Sequence, residues 1–150
     1  MKLVTGGAGY LGQALVDALV ARGDEVRILD LSAPDDTASV DFVRGDIRDA
    51  AAVRRAVEGV DTVFHNVATV PLAKDKDEFV SVNVGGTRTL LLACRDAGVR
   101  KVVNTSSSAV YGVPPRNPVD LEVAPNPGEA YGQAKWDAEK VCQSFASDLD

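Results

Sequence analysis

The sequence has little histidine and cysteine, with one His and two Cys among its 150 residues. Because a zinc site takes several such side chains, this scarcity argues against a bound metal. Cys94 and Cys142 both fall in segments with helical spacing, where a free cysteine behaves as a small apolar residue. We therefore predict no metal site, and we interpret His65 as a buried histidine at a strand end that does not titrate.

Long apolar runs and basic clusters are also missing. No segment approaches the roughly 20 apolar residues that cross a bilayer, and the first residues, M-K-L-V, lack the regions of a secretion signal. The formal net charge is -6 and the acidic residues are scattered, whereas binding to a phosphate backbone relies on clustered Lys and Arg. These absences predict a cytoplasmic protein with neither a membrane nor a nucleic acid as partner.

Strand-like and helix-like segments alternate along the chain. Apolar runs predict strands at 3–4, 26–29, 41–44, 62–64 and 101–104. Helical spacing predicts helices at 11–20, 50–58, 78–97 and 129–146. The Pro-rich stretch 113–128 is typical of a surface loop. Strands separated by helices form βαβ units, so we predict an α/β fold in which one domain over residues 1–150 is built on a doubly wound parallel sheet with helices on both faces.

A glycine-rich turn follows the first strand. The letters T-G-G-A-G-Y-L-G fit the pattern T-G-x-x-G-x-x-G through Gly6, Gly9 and Gly12. Such glycines allow a tight turn, a close approach of the backbone to a pyrophosphate, and close packing of the helix on the sheet. Backbone N–H groups near Tyr10 and Leu11 would then face the phosphates from the helix N-terminus. The alternative is a glycine-rich turn without a ligand, but the flanking strand and helix favour a Rossmann-type nucleotide-binding turn.

An acidic residue stands where the second strand ends. Asp30 comes 18 residues after Gly12, and a carboxylate at that place can accept hydrogen bonds from the hydroxyls of an adenosine ribose. It would repel a 2′-phosphate, and residues 31–33 contain no Arg or Lys to offset the repulsion. We therefore predict NAD rather than NADP as the cofactor. The alternative is that Asp30 is an ordinary surface carboxylate.

A tyrosine and a lysine are spaced for proton transfer. Tyr131 and Lys135 are four residues apart in a predicted helix, which places both side chains on one face. The ammonium favours the phenolate form of the tyrosine, so the pair could exchange a proton with an alcohol or a carbonyl. The serine run 106–108 follows the fifth strand and could hold the reacting oxygen. The alternative is a packed Tyr beside a solvated Lys, but the nucleotide-binding turn upstream favours the catalytic interpretation.

Together these residues resemble the short-chain dehydrogenase/reductase superfamily, in particular its extended branch, the NAD-dependent epimerase/dehydratase family. The resemblance runs in order along the whole chain. Its motifs are residues 5–12, 45–47, 65–68, 83–87 and 105–112, followed by Tyr131 with Lys135.

The resemblance implies a role for each matching residue. Ser107, chosen by its distance from Tyr111, would be the catalytic serine and Tyr131 the acid/base, while Lys135 would hold the nicotinamide ribose and tune Tyr131. Asn83 would support the site. The implied cofactor contacts are Gly6, Gly9, Tyr10, Leu11 and Gly12 at the pyrophosphate, Asp30 at the ribose, Asp46 and Ile47 at the adenine, and Val67, Ala68, Thr105, Tyr131 and Lys135 along the rest of the cofactor.

These implied roles lead to one function hypothesis and two alternatives. The leading hypothesis is an NAD-dependent nucleotide-sugar epimerase or dehydrogenase with hydride transfer at a carbinol carbon. The alternatives are a reductase or dehydrogenase of steroid-like or other apolar alcohols, and a truncated NAD-binding module without turnover. Family members continue into a C-terminal substrate domain, which we expect to be absent from this N-terminal portion. They also commonly pair through the Tyr131 helix and the helix before the fifth strand, so we expect a homodimer.

Overall fold

The computed structural model describes residues 1–34, 38–69 and 76–149. Neighbouring strands are parallel and form one sheet in the order β3-β2-β1-β4-β5. This arrangement confirms the predicted α/β fold, and its strand order reverses between β1 and β4, where ligands bind in open α/β sheets. The strands are β1 Lys2–Thr5, β2 Val26–Asp30, β3 Asp41–Arg44, β4 Thr62–His65 and β5 Lys101–Asn104.

Two helices begin where a carboxylate side chain caps their first turn. The Asp49 carboxylate accepts the N–H of Ala51 at 2.8 Å, and the Glu129 carboxylate accepts the N–H of Gly132 at 2.8 Å, so free N–H groups at both helix starts are satisfied. The last helix ends at Gln143 rather than near residue 146. The α-helices are α1 Tyr10–Ala21, α2 Ala50–Val57, α3 Lys76–Glu78, α4 Thr87–Asp96 and α5 Ala130–Gln143.

The sheet is covered on both faces because successive strand residues point to opposite sides. Leu3 of β1 packs in a core with residues of α2, α4 and α5, while its neighbour Val4 packs against α1 on the other face. Both side chains are 0% exposed. The three inner strands, β1, β2 and β4, are largely buried, whereas the edge strands β3 and β5 are partly exposed. The site residues are carried mainly by the segments that follow the strand ends.

The predicted helix 78–97 is wrong in its first half. A π-helical segment, Phe79–Gly86, separates α3 from α4. A side chain at Gly86 would overlap Ile47, so the backbone here closely approaches the segment after β3. Apolar spacing alone does not reveal such an approach. The π-helical segment matters for the site because it carries Phe79 and Asn83. A second unpredicted element is a short 3-10 helix, Ser108–Tyr111, after β5.

The leucine run of α4 contributes mainly to the core of the subunit. Leu90 and Leu91 are buried, whereas Leu92 is 39% exposed. The run therefore gives no large apolar face for a second subunit, and the homodimer stays a prediction. Within residues 1–34, 38–69 and 76–149, no helix has the length and apolarity needed to span a bilayer.

Candidate active site

The carboxyl ends of four neighbouring strands are level with one another. Thr5 pairs in register with Leu29 on one side and His65 on the other, and His65 pairs in turn with Asn104. The glycine turn, Asp30, the segment after β4 and the serine run therefore start from one edge of the sheet. Residues separated by up to about a hundred positions in the sequence are gathered there by parallel register.

The glycine turn is folded as the sequence predicts. Gly6 has a φ of +70°, a conformation that favours glycine, and it lies against the backbone of Val67. A side chain at Gly12 would overlap the carbonyl of Gly6, so α1 packs directly on the turn. Helix α1 begins at Tyr10 with Gly9 as its N-cap, which leaves its first N–H groups available to an anion.

Most of the predicted cofactor residues line one cleft of about 470 Å³. The side chains of Tyr10 and Leu11 are exposed and lie outside it, so only their backbone can face a ligand from the helix start. Predicted residues along the cleft are Gly6, Gly9, Asp30, Asp46, Ile47, Val67 and Ala68. Residues that sequence reasoning missed are Ala8, Leu31, Ser32, Arg48, Asn66, Thr69, Glu78 and Val82.

Asp30 closes one end of this cleft. Its carboxylate accepts the N–H of Ala8 at 3.1 Å and the N–H of Ser32 at 3.2 Å. These bonds join the end of β2 to the glycine turn and hold the carboxylate at the mouth of the cleft. Asp30 is therefore more than an isolated surface charge, because its orientation is set by two backbone donors.

A cation also lines the cleft, although no cation follows Asp30 directly in the sequence. The Arg48 guanidinium binds both oxygens of Asp46, at 2.9 and 2.6 Å. Hydrogen bonding from Arg48 holds the pKa of the Asp46 carboxyl below its usual value. The charge of Arg48 is therefore balanced by Asp46. Only the packing of the segment after β3 brings Arg48 to the cleft.

Hydrogen bonds position the segment after β4. The Asn83 side chain accepts the N–H of Thr69 at 2.8 Å and donates to its carbonyl at 3.3 Å. At the other end of the segment, the Thr5 hydroxyl oxygen accepts the N–H of Asn66 at 3.2 Å. Asn83, which lies in the π-helical segment, therefore holds one wall of the cleft through its two hydrogen bonds to Thr69. This agrees with the supporting role predicted for Asn83.

His65 is buried between two threonine hydroxyls. Its Nδ1 lies 2.7 Å from the Thr5 oxygen and its Nε2 lies 3.0 Å from the Thr87 oxygen. Thr87 donates its one hydroxyl proton to the carbonyl of Asn83 at 2.6 Å, so it must accept from Nε2–H, and Nδ1 accepts from Thr5. The ring is therefore the neutral Nε2–H form. Burial, and then the charge of Lys135, lower the pKa of His65 to about 3, in keeping with the interpretation of a buried histidine that does not titrate near neutral pH.

Lys135 and Tyr131 lie on one face of α5. Lys135 is 6% exposed, and its ammonium donates to the carbonyl of Thr105 at 2.6 Å. Burial lowers the pKa of Lys135 below its usual value. Tyr131 is half-buried, and its ring meets Phe79 edge-on with the ring centres 6.1 Å apart. The lysine of the predicted pair is therefore a buried ammonium rather than a solvated surface charge.

Ser107 lies in the segment that α5 packs against. Its hydroxyl oxygen accepts the N–H of Ala109 at 3.2 Å and caps the 3-10 helix. A side chain at Gly132 would overlap the carbonyl of Ala109, so the start of α5 lies directly on this 3-10 helix. The structure thus brings the segments of Ser107, Tyr131 and Lys135 together at the carboxyl edge of the sheet.

A family model for the NAD-dependent epimerase/dehydratase family matches residues 2–149. The chain belongs to this family. Its curated relatives include an uncharacterized protein, y4nG, from Sinorhizobium fredii, 50% identical over 94% of this chain and 36% of its own length. Sterol demethylase protein B from Methylococcus capsulatus is 42% identical over 89% of this chain and 43% of its own length. UDP-glucose 4-epimerase from Lactobacillus helveticus is 37% identical over 93% of this chain and 45% of its own length.

Solved structures of similar proteins have the same architecture. A short-chain dehydrogenase/reductase superfamily protein from Agrobacterium tumefaciens with bound NAD is 38% identical, with a TM-score of 0.90 over 97% of this chain and 44% of that one. MoeE5 in complex with UDP-glucuronic acid and NAD is 33% identical, with a TM-score of 0.92 over 99% of this chain and 52% of that one. The chain therefore spans about half the length, or less, of the proteins that it matches.

Proposed function

We propose that this chain binds NAD in the cleft between the glycine turn, Asp30 and the segment after β4. Two features of the cleft fit a dinucleotide. Helix α1 packs directly on the glycine turn, where a side chain at Gly12 would overlap the Gly6 carbonyl, and begins at the turn without a side-chain cap. Among the described residues, the buried amide nitrogen of Asn66, which lines the cleft, has no hydrogen-bond partner. A buried donor of this kind has a free-energy cost unless an acceptor reaches it. Crystals of related proteins that contain NAD support the same cofactor.

The roles proposed for individual residues follow from their positions. Backbone N–H groups at Tyr10 and Leu11 would bind the pyrophosphate, and Asp30 would accept from the adenosine ribose. The adenine would lie beside Asp46 and Ile47, and the remaining half of the cofactor along Val67, Ala68 and Thr105. The ionic pairing of Arg48 with Asp46 supports NAD over NADP. Because the charge of Arg48 is balanced, the negative charge of the Asp30 carboxylate dominates the electrostatic field at the ribose.

We further propose that Tyr131, Lys135 and Ser107 carry out proton transfer at a secondary alcohol. Bound NAD supplies the acceptor for the hydrogen on the carbinol carbon. Tyr131 would take the hydroxyl proton, with the Lys135 ammonium one helical turn away favouring its phenolate form. Ser107 would hold the substrate oxygen. The observation that carries this proposal is the buried Lys135 on the same face of α5 as Tyr131, held against the end of β5.

A nucleotide sugar is the proposed substrate class. The similarity to UDP-glucose 4-epimerase and to a structure that holds UDP-glucuronic acid supports it. In an epimerase the ketone formed at the carbinol carbon would rotate within the site and be reduced on its other face. In a dehydrogenase the ketone would be released. Both outcomes use the same three residues, because both start with removal of the hydroxyl proton.

An apolar alcohol is the second candidate substrate class. The sterol demethylase protein B similarity supports it, as does a second cleft of about 460 Å³ beside the 3-10 helix. This second cleft is lined in part by Tyr111, Val119 and Leu121, and Leu121 is fully exposed. A surface of this composition suits a steroid-like body better than a sugar hydroxyl array.

The test compares the wild-type protein with Tyr131→Phe on two panels. Each protein is incubated with NAD and either UDP- and dTDP-sugars or 3-hydroxysterols, and NADH formation and epimer exchange are measured. Turnover of sugars that is lost in Tyr131→Phe is the expected result, and turnover of sterols alone would select the second candidate. Equal turnover by both proteins would remove Tyr131 from the mechanism. Calorimetric binding of NAD without turnover on either panel would indicate a binding module.

A further inference from the structure

Two adjacent hydrogen bonds join α5 to the end of β5. The Lys135 ammonium donates to the Thr105 carbonyl, and the hydroxyl of the next residue, Ser106, donates to the Glu139 carboxylate. Residues four apart on a helix lie above one another on one face. Glu139 therefore lies one turn beyond Lys135, on the side opposite Tyr131. Along this face of α5 the side chains are, in order, a phenol, an ammonium and a carboxylate.

The Lys135 ammonium is largely shielded from water, and among the described residues it has no direct ion pair. It is 6% exposed, and among the described residues its hydrogen-bond acceptor is a neutral carbonyl. A buried ammonium tends to lose its proton unless a negative charge faces it. Without its proton Lys135 would stop favouring the phenolate form of Tyr131, so the source of that negative charge decides whether the pair can act.

Among the described titratable groups that face Lys135, one can supply this negative charge. The titratable side chains that interact with it are His65 from β4, with Cys142 and Glu139 from α5, and Tyr131 lies one turn before it. His65 is neutral because burial lowers its pKa to about 3. Burial raises the pKa of the Cys142 thiol, so it carries no charge at neutral pH. Glu139 is left, and Ser106 holds its carboxylate toward the end of β5.

We propose that Glu139 is a positioning residue for the Tyr131–Lys135 pair: its carboxylate, oriented by Ser106, is the counter-charge that keeps Lys135 an ammonium. The proposal rests on the proposed function only for what the pair does, because Glu139 itself touches Ser106 and no reacting atom. It predicts a distinct effect for each partner. Removing the charge of Glu139 lowers the pKa of Lys135, and removing the Ser106 hydroxyl lowers it by a smaller amount because the carboxylate is then free to turn to solvent.

The experiment titrates Lys135 directly in the whole chain without cofactor. Lysine carrying ¹³C at Cε is incorporated, the Lys135 signal is assigned with Lys135→Arg, and its shift is followed against pH. Glu139→Gln removes the charge but keeps a side chain that can accept from Ser106. Asp137→Asn is the matched control, because it removes the same charge from the same helix where Gln133 and Lys140 face it.

The expected result is a Lys135 pKa that falls by about one unit in Glu139→Gln relative to Asp137→Asn. Glu139→Asp, which keeps the charge, is expected to restore most of the wild-type value. Equal pKa values in Glu139→Gln and Asp137→Asn would overturn the proposal. If Glu139→Gln does not fold, the test uses Ser106→Ala instead. An unchanged Lys135 pKa in Ser106→Ala would also overturn the proposal. Because no NAD is present, failure here is distinguishable from failure of NAD binding or turnover.

Discussion

The Nε2–H of His65 donates to the hydroxyl oxygen of Thr87 across 3.0 Å, while the other ring nitrogen, Nδ1, carries no proton. The other ring nitrogen accepts from Thr5, so a second ring proton would face a donor instead of an acceptor. The ring lies on β4, directly before the segment that forms one wall of the cofactor cleft. The protonation state of the buried His65 ring is therefore linked to the shape of the cofactor cleft.

Acid is expected to destabilise the protein through His65. The pKa of His65 is about 3 in the folded chain, against 6.5 for an ordinary histidine, so between these values the unfolded state binds more protons. Stability is then fully present above pH 6.5 and falls as the pH drops toward 3, by up to about 1.4 kcal/mol per pH unit. Urea unfolding at a series of pH values measures it. Wild type and His65→Gln losing stability in parallel would contradict this assignment.

Thr87→Val is expected to lower the free energy of unfolding by about 1–3 kcal/mol, because it leaves the buried Nε2–H of His65 without an acceptor. Thr89→Val is the matched control. Thr89 lies on the same helix and makes the same kind of bond to the carbonyl four residues earlier, at 3.0 Å to Gly85, but it has no histidine partner. Denaturant unfolding of both variants compares them. Similar losses in the two would show that only the bond to the helix carbonyl matters.

Gly12→Ala is expected to weaken NAD binding by at least about tenfold, which is roughly 1.4 kcal/mol. The added methyl would overlap the Gly6 carbonyl, so α1 must move away from the glycine turn that its N-terminus completes. Gly128→Ala is the control, because a methyl there would meet no atom within 4 Å. Calorimetry gives the affinities and thermal unfolding reports the fold. Tight NAD binding by Gly12→Ala would place the pyrophosphate elsewhere.

Asp30→Ser is expected to move cofactor preference toward NADP. It removes the carboxylate that repels a 2′-phosphate, and the ratio of the NADP Kd to the NAD Kd should fall by about tenfold. Adding Asp46→Asn should lower this ratio further, since Arg48 then loses its bidentate partner. Asp41→Ser, at the start of β3, serves as the control for loss of one negative charge. A ratio that does not change would mean that Asp30 does not contact the ribose.

The arrangement of the sheet and the glycine turn could be predicted because their signals are local. The spacing of apolar residues predicts each strand and all but one of the long helices, and Asp49 predicts the start of α2. Prediction was wrong at the π-helical segment Phe79–Gly86, where Gly86 lies against Ile47, a residue distant in the sequence. A helix can change its hydrogen-bonding pattern for such a contact without any change in its apolar spacing.

By itself the sequence determined the parallel βαβ order, the glycine turn with Asp30 after it, and the placement of Tyr131 and Lys135 on one helix face. All of these depend on residues near one another in the chain. Only the tertiary structure decided that Arg48 lines the same cleft as Asp30, that His65 holds a single ring proton, and that Glu139 reaches Ser106. These depend on burial and on hydrogen-bond partners brought together from separate strands and helices, and no short stretch of sequence contains both halves of such a contact.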